Sequence, residues 1–493
     1  MLITPIIGLE VHIELKTKSK MFCGCNAHHF HVEPNTHTCP VCLGLPGALP
    51  VPNKVACEWC IKLGLALGCS INQDSFFERK NYFYPDLPKG YQITQLQLPF
   101  AINGKINIEG HDIRINRAHM EEDTGKSQHI GDETLLDFNR SGVPLVEIVS
   151  EPDIESPEEA KKYLGKIQQI VRYLGISDAN IEEGSMRCEP TVNLKIEDNG
   201  QVFYTPLVEI KNVASLTGVL LAIQFEIDRQ TEQFKKDGIT KEHGEKTTRG
   251  WDADKSVTFL QREKEGSADY RYFPEPDIPP LSFTKDQIDA IRATLPELPE
   301  QKIAKYKALS LSDYDAELLA GDQKLSELYD QTLNYHSSTS PSASPSPSPS
   351  APADPSPEFS KGTANLINDS VRKYINEFPD LPLKITPLNL AFAANATLSK
   401  IISSSVAKEN VFESSRNGED PVELAKKKGQ LQISDTTVIE DMAKKIITDN
   451  PKAVADYKKN PQSISFLIGQ LMKASNGSAN PQLAKDILQK LLK

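Results

Sequence analysis

The chain opens MLITPIIGLEVHIEL, and this run alternates as an extended strand does. Ile7, Leu9, Val11, Ile13 and Leu15 fall on one side, and Gly8, Glu10, His12 and Glu14 on the other. A face that sets two carboxylates and an imidazole in a row looks either at water or at a metal ion or reacting group. Amphipathic strands are common, so the rest of the chain has to decide between the two.

Up to about residue 290 short strands, turns and a few helices follow one another. One helix is strongly signalled. Ser156-Pro157-Glu158-Glu159 supplies an N-cap, a proline at the first helical position and a glutamate placed for a capping box. Tyr163, Leu164, Ile167, Ile170, Val171 and Leu174 then recur at helical spacing, and Gly175 closes the helix. VPLVEIVS, ahead of it, reads as a strand. There is no regular βαβ repetition, so the class is α+β. From about Lys285 to Asn410 the pattern is mainly helical, interrupted over residues 337–357 by a Ser/Pro alternation that cannot build a core. Past Asp420 helical patterning resumes, with breaks at Ser434-Asp435 and Asn450-Pro451 and a final helical pair around a Gly/Asn turn.

Hydrophobic residues make up 39% and charged residues 25% of the 493 positions. No apolar run approaches the ~20 residues a membrane helix needs, and no basic segment precedes the apolar N-terminus. A cytoplasmic protein with no membrane association is expected. The net charge of −12 argues against a whole surface that grips nucleic acid. From Asp441 to Lys493, however, nine lysines face four aspartates, a local +5 against −17 for the remainder. Such a basic tail can hold RNA or can simply be solvated.

The cysteines cluster. Cys23 and Cys25 form CGC, and after thirteen intervening residues Cys39 and Cys42 form CPVC. Two close pairs separated by a loop suit tetrahedral zinc, and in a reducing compartment disulfides are not expected. His28, His29, His31 and His37 lie in the same loop and could each replace a cysteine. Cys57 and Cys60 sit in a helical pattern and read as small core residues.

Gly125-Lys126-Ser127 imitates the end of a phosphate-binding loop, but Met120 stands where that motif needs glycine. Any use of ATP therefore proceeds without a P-loop. The acids Glu121, Glu122 and Asp123 follow Arg117 and His119. Glu182, Glu183 and Glu189 surround Arg187, and Glu209 precedes Lys211 and Asn212. Such acids are either solvated runs or ligands of a cation that neutralises phosphate.

Six stretches taken in order, GLEVHIELKTKSKMFCGC, EPNTHTCPVCLGLPGALPVPNK, RKNYFYPDLPKGYQIT, HMEEDTGK, NRSGVPLVEIVSEPDI and DYRYFPEPDIPPL, closely resemble the GatB family of bacterial tRNA-dependent amidotransferases. The resemblance runs through residues 1–290 and again from about 410 to 493. It implies a cradle domain over 1–290, antiparallel and likened to glutamine synthetase, with a zinc knuckle at 23–42. A helical domain over 291–410 and a YqeY-like, tRNA-contacting tail over 411–493 would follow. The implied activity is that of a ligase of translation, working within a heterotrimer. With Mg-ATP it would phosphorylate the side-chain carboxylate of Glu-tRNA(Gln) or Asp-tRNA(Asn). Ammonia from a glutamine-hydrolysing amidase partner, braced by a small third partner, would then displace the phosphate.

By the same resemblance Glu10, His12, Glu122 and Glu209 are the catalytic acids and imidazole. They form the magnesium site together with Glu189, which stands where the family usually has aspartate. Cys23, Cys25, Cys39 and Cys42 would hold structural zinc. Lys473, Lys485 and Lys490 are the phosphate-contacting candidates. Glu14 is expected to be an exposed residue outside the site. Without the resemblance, the rival is a non-catalytic RNA-binding scaffold. A self-contained amidase is disfavoured, because the chain lacks the Gly/Ser-rich stretch and accompanying lysine such a nucleophile needs.

Overall fold

The computed structural model describes residues 1–242, 244–263, 270–336, 355–432, 436–475, 479 and 481–492. The Ser/Pro alternation up to residue 354 and the Ser434-Asp435 break lie outside these. Two units are present, Met1–Leu298 and Pro299–Lys493.

The first unit is organised by a ten-stranded sheet made of β1 (Leu2–Glu14), β2 (Ser70–Ile71), β3 (Ala101–Ile108), β4 (His111–Glu122), β5 (Pro144–Ser150), β6 (Met186–Asp198), β7 (Gln201–Tyr204), β8 (Val208–Lys211), β9 (Thr247–Asp252) and β10 (Val257–Glu263). Their order is β10-β9-β8-β6-β1-β5-β4-β3-β2, with β7 paired to β6. Among the described residues of this sheet, only β8 and β9 pair in parallel. The opening strand is central, flanked by β5 and β6.

Its alternation is obeyed from Ile7 to Ile13. Ile7, Leu9, Val11 and Ile13 are at most 1% exposed and share one core with Val146, Ile148, Ala118 and Met120 of the neighbouring strands. That face is covered by α1 (Lys54–Ala66), α2 (Pro157–Tyr173) and α3 (Leu216–Asp237), whose Ile61, Tyr163, Leu164, Ile167, Val219 and Ile223 join the same core. Cys57 and Cys60 are buried in α1, as their helical context requires.

Helix α2 starts and stops as its sequence dictates, with one difference. The Ser156 hydroxyl accepts from the Glu159 amide at 3.2 Å, but the Glu159 carboxylate takes the amide of Glu155 at 2.9 Å, not that of Ser156. The carboxylate also binds His111 Nδ1 at 2.6 Å, which draws it one residue further. Gly175 takes φ +69°, the left-handed conformation that ends the helix.

A second, three-stranded sheet (Glu78–Asn81, Tyr91–Thr94 and Arg271–Pro274) belongs to the same unit. Its Lys80 pairs in register with Gln92 and Tyr272.

The second unit is helical. Tyr306, Leu319, Tyr329, Phe359, Ile367, Leu390, Val411 and Ala425 belong to one apolar cluster, while Ile439, Ile464, Leu467, Leu471, Ala484 and Leu488 belong to another. The expected tail boundary at 411 falls inside the continuous helix Ser404–Asn417. The buried Val406, Ala407 and Val411 of that helix all pack in the earlier cluster. The apolar division therefore lies after Ala425. In the tail, the break at Asn450-Pro451 separates the helices Thr436–Asp449 and Pro451–Lys459, and Lys473, Lys485 and Lys490 are exposed on Ile464–Ala474 and Pro481–Leu491. No helix among the described residues is long and apolar enough to cross a membrane.

The tightest seam between helix and sheet is at Gly64 of α1, where a Cβ would lie 2.5 Å from the Ala101 Cβ of β3. Gly64→Val is expected to lower stability by about 3 kcal/mol through overpacking. Trp59 and Trp251 are the chain's two tryptophans, and both lie in the first unit. Their fluorescence in a urea titration reads this loss there alone, and an unmoved midpoint would refute the seam.

Candidate active site and metal centres

In an antiparallel pair, directly opposed residues project to the same face, so the register of β1 decides what its polar side meets. His12 lies opposite Glu147 of β5 and Arg187 of β6, and Glu147 lies opposite His119 of β4. The row His119, Glu147, His12, Arg187 thus crosses four strands. Glu121, two residues beyond His119, joins it. His12 Nε2 lies 3.3 Å from Glu147 Oε2 and 3.8 Å from Glu121 Oε2, and His119 Nε2 lies 3.5 Å from Glu121 Oε1.

The three-stranded sheet forms the wall. Gln92 Nε2 donates to Glu121 Oε2 at 3.2 Å, and Thr94 Oγ1 donates to Glu121 Oε1 at 3.0 Å. Burial alone would depress the Lys80 ammonium, but the carboxylates of Glu121 and Glu147 beside it raise its pKa above the ordinary lysine value.

Burial opposes the charge of His12 as well. The Glu147 hydrogen bond and the carboxylates of Glu147, Glu121 and Glu189 prevail and raise it to about 9. Glu147 is correspondingly held below the usual carboxylate range. Burial opposes this too, and the imidazoles of His119 and His12 overcome it. His12, Glu121 and Glu147 can bring one ligand atom each within 4.8 Å of the others. One imidazole nitrogen and two carboxylates suit Mg²⁺ or Mn²⁺, with the nitrogen favouring Mn²⁺. The set therefore fits a divalent cation.

The residues anticipated from sequence separate into three places. His12 is in this row. Glu10 lies opposite Glu189, and burial and then the charges of Glu147 and Glu189 raise its pKa. Glu189 and Glu209 are bridged by one ammonium, Lys211 Nζ, at 2.5 and 3.0 Å, and Lys246 stands 3.3 Å from Glu209. Glu122 does not join His12. Adjacent strand residues project to opposite faces, and Glu121 already faces the row. The Glu122 carboxylate binds Lys89 and accepts the Ile93 amide at 3.0 Å. Glu182 and Glu183 lie exposed in a turn.

Glu14, expected in solvent, is 6% exposed. It binds His29 Nε2 at 2.9 Å and approaches Arg187 at 3.4 Å, and Arg187 also binds Asp123. Sequence reasoning places Glu121 in a candidate acidic cluster beside His119 without choosing it over Glu122, and it does not single out Glu147 or Lys80. The signal for Glu147 is its place in the strand VPLVEIVS, which becomes decisive only with the register.

The four cysteines Cys23, Cys25, Cys39 and Cys42 converge, with all four sulfurs within 4.8 Å of one another. Cys39 and Cys42 sulfurs are 3.8 Å apart, the separation of about 3.8 Å that two tetrahedral Zn–S bonds of about 2.3 Å enforce. The hydrogen bond from Cys23 lowers the Cys42 thiol to about 5, assisted by the backbone at Cys39 and the buried ammonium of Lys20. A lowered thiol suits a metal ligand, since the thiolate is the species that binds. The cluster fits zinc, and no histidine is needed. Among the loop histidines, His29 turns to Glu14, and His37 Nδ1 lies 2.8 Å from the His28 carbonyl.

Two outcomes follow from these geometries. Cobalt substituted into the protein should show the intense thiolate-to-metal absorption of a four-sulfur site, lost in Cys39→Ser/Cys42→Ser. A spectrum lacking those bands would exclude the site. A divalent ion at His12 must expel the proton held up to about 9. Mn²⁺ affinity should therefore strengthen by about tenfold per pH unit from neutrality toward 9 and then level. Calorimetric titration of wild type and His12→Gln reads this, and equal slopes in the two would place the ion elsewhere.

Compared with known proteins, residues 5–289 match the family described as the GatB/GatE catalytic domain, and residues 355–492 match a GatB domain. The B chain of the aspartyl/glutamyl-tRNA(Asn/Gln) amidotransferase of Persephonella marina is 43% identical over 99% of both chains. That of Dehalococcoides mccartyi is 44% identical over 99% of this chain and 98% of its own. That of Thermosipho melanesiensis is 42% identical over 99% of both. With both halves matched and the whole length aligned, the chain belongs to the GatB family, the B chains of the aspartyl/glutamyl-tRNA(Asn/Gln) amidotransferases, ligases that form carbon–nitrogen bonds.

Proposed function

We propose that the polar face of the sheet activates the side-chain carboxylate of glutamate or aspartate esterified to tRNA. Activation uses ATP, and ammonia supplied by a glutaminase partner chain then forms the amide. The row of His12, Glu121 and Glu147 carries this reading, because buried acids grouped around an imidazole are what a phosphoryl-transfer centre needs. A carboxylate resists ammonia because its oxygen is a poor leaving group. Transfer of the γ-phosphoryl group gives an acyl phosphate and ADP. Ammonia adds to the acyl carbon, the C–O bond to phosphate breaks, and a proton is lost from nitrogen.

His12, Glu121 and Glu147 would hold a divalent cation, which when bound spreads the phosphate charge. Lys80, Arg117 and Arg187 supply fixed positive charge around that row. Arg117 stands 3.9 Å from Glu147, and the buried Nε of Arg187 has no hydrogen-bond partner among the described residues. Gln92 and Thr94 hold Glu121 in one orientation. The four-cysteine cluster would hold zinc structurally, since four thiolates leave no open position. The exposed tail lysines Lys473, Lys485 and Lys490 would contact tRNA phosphates. The workplace is the cytoplasm, and the assembly is a heterotrimer with the amidase chain and a small third chain.

The test uses the full chain in complex with its two partner chains, with an ammonium salt replacing glutamine. ADP release should require misacylated tRNA, and both ADP release and amide formation should fall on the order of a hundredfold or more in Glu147→Gln. Undiminished turnover in that variant would misplace the centre. Absence of turnover in the wild type would favour a non-catalytic RNA-binding scaffold.

A further inference from the structure

The wall beside the row ends in an aromatic cluster that the chemistry above does not use. Phe83 is 80% exposed, Tyr84 60% and Tyr270 39%. Apolar rings so exposed usually sit on mobile loops, but this turn is pinned. The Leu87 amide donates to the Tyr84 carbonyl at 3.0 Å, Gly90 donates to Leu87 at 3.0 Å, and the Asp86 carbonyl accepts from Gly125 at 2.8 Å. Gly90 takes φ +71°, and a Cβ on it would lie 3.3 Å from the Phe83 ring, so the chain passes close under that ring.

Tyr82 meets Tyr84 at 6.1 Å and Tyr270 at 5.6 Å, each with planes at 65°, so neither pair is stacked face to face. The Lys80 ammonium lies 5.2 Å from the Tyr270 ring and 5.8 Å from Tyr82. Tyr82 Oη donates to Gln92 Oε1 at 3.4 Å, and Gln92 holds Glu121. The cluster is therefore continuous with the acidic row.

We infer that Tyr82, Tyr84 and Tyr270, with the exposed Phe83 between the first two in the chain, form a stacking platform for the unpaired 3′-terminal nucleotides of the charged tRNA. This rests on the reading under Proposed function. Pinned aromatic faces, three of them exposed, suit successive single-stranded bases, since every base has a face that can stack. The base of ATP, by contrast, calls for a cleft that buries most of its surface, whereas Phe83 and Tyr84 stand open. The reacting amino acid is esterified at the tRNA 3′ end. If it is to reach Glu121 and His12, the last nucleotides lie beside the row, and the three-stranded sheet is the wall that leads from Glu121 to these exposed rings.

The platform is tested without turnover. Binding of intact tRNA and of tRNA trimmed of its three terminal nucleotides is measured by fluorescence anisotropy on the full complex, with no ATP. Wild type should bind the trimmed form about tenfold more weakly. Phe83→Ala/Tyr84→Ala should bind both forms as weakly as wild type binds the trimmed one, and Tyr84→Trp should keep the preference. In the ammonium assay the double variant's KM for ATP should be unchanged. Absence of a preference in wild type, or a preference retained in the double variant, overturns the platform. A raised KM for ATP with tRNA affinity intact would assign the rings to the base of ATP and overturn it equally. Loss of ADP release in the wild type would count against the phosphorylation chemistry while leaving the binding difference readable.

Discussion

Everything at the site depends on the register of one strand. β1 is held by β5 on one side and β6 on the other, and a slip of one residue would send Glu10, His12 and Glu14 into the core and Leu9, Val11 and Ile13 to the polar side. The core enforces the register, because five alternating apolar side chains fit only one way against α1, α2 and α3. The geometry of the candidate site is here a by-product of hydrophobic burial. The face that packs determines which residues the other face aligns.

That alignment crowds charge, and the structure balances it locally. Glu121, Asp123 and Glu147 are at most 6% exposed, a placement that would neutralise isolated acids by protonation. Each has cations at hand instead. Arg187 and then Arg140 oppose the burial of Asp123 and hold its pKa below the usual carboxylate range. His12 and His119 do this for Glu147. At Glu10 burial and the neighbouring acids Glu147 and Glu189 outweigh the imidazole of His12, and its pKa rises. The two acidic groups also differ in what balances them. Around Glu189 and Glu209 it is the ammonium of Lys211, a charge on the chain that cannot leave. Around Glu121 and Glu147 it is partly the proton on His12, which an incoming cation can displace.

The fold is legible in the sequence where periodicity or capping is local. The alternation of β1, the cap and close of α2 and the helical setting of Cys57 and Cys60 need nothing distant. CGC and CPVC can be paired because each motif already holds two ligands. The acidic site is less legible, because its members come from β1, β4 and β5, and nothing in a linear string fixes their register. Hence Glu122 is anticipated beside Glu121, although a strand can turn only one of two neighbours to a given face. Hence also Glu147 and Lys80 escape notice. Resemblance points to these strands, and the register decides which of two adjacent acids faces His12.

The same limit explains Glu14. Two residues past His12 it continues the polar alternation, and a strand end suggests water. What buries it is the cysteine-rich loop, which folds back so that His29 reaches one carboxylate oxygen while Arg187 approaches the other. Arg187 in turn binds Asp123 at the end of β4. A chain of charged contacts thus runs from the knuckle, through the end of β1 and across β6, to the strand that carries Glu121. The loop that carries the four cysteines supplies His29 to Glu14, whose other carboxylate oxygen approaches the arginine opposite His12. A zinc ion held by the four cysteines would fix this loop and, through His29, the end of β1, because each contact of a connected polar network constrains the next.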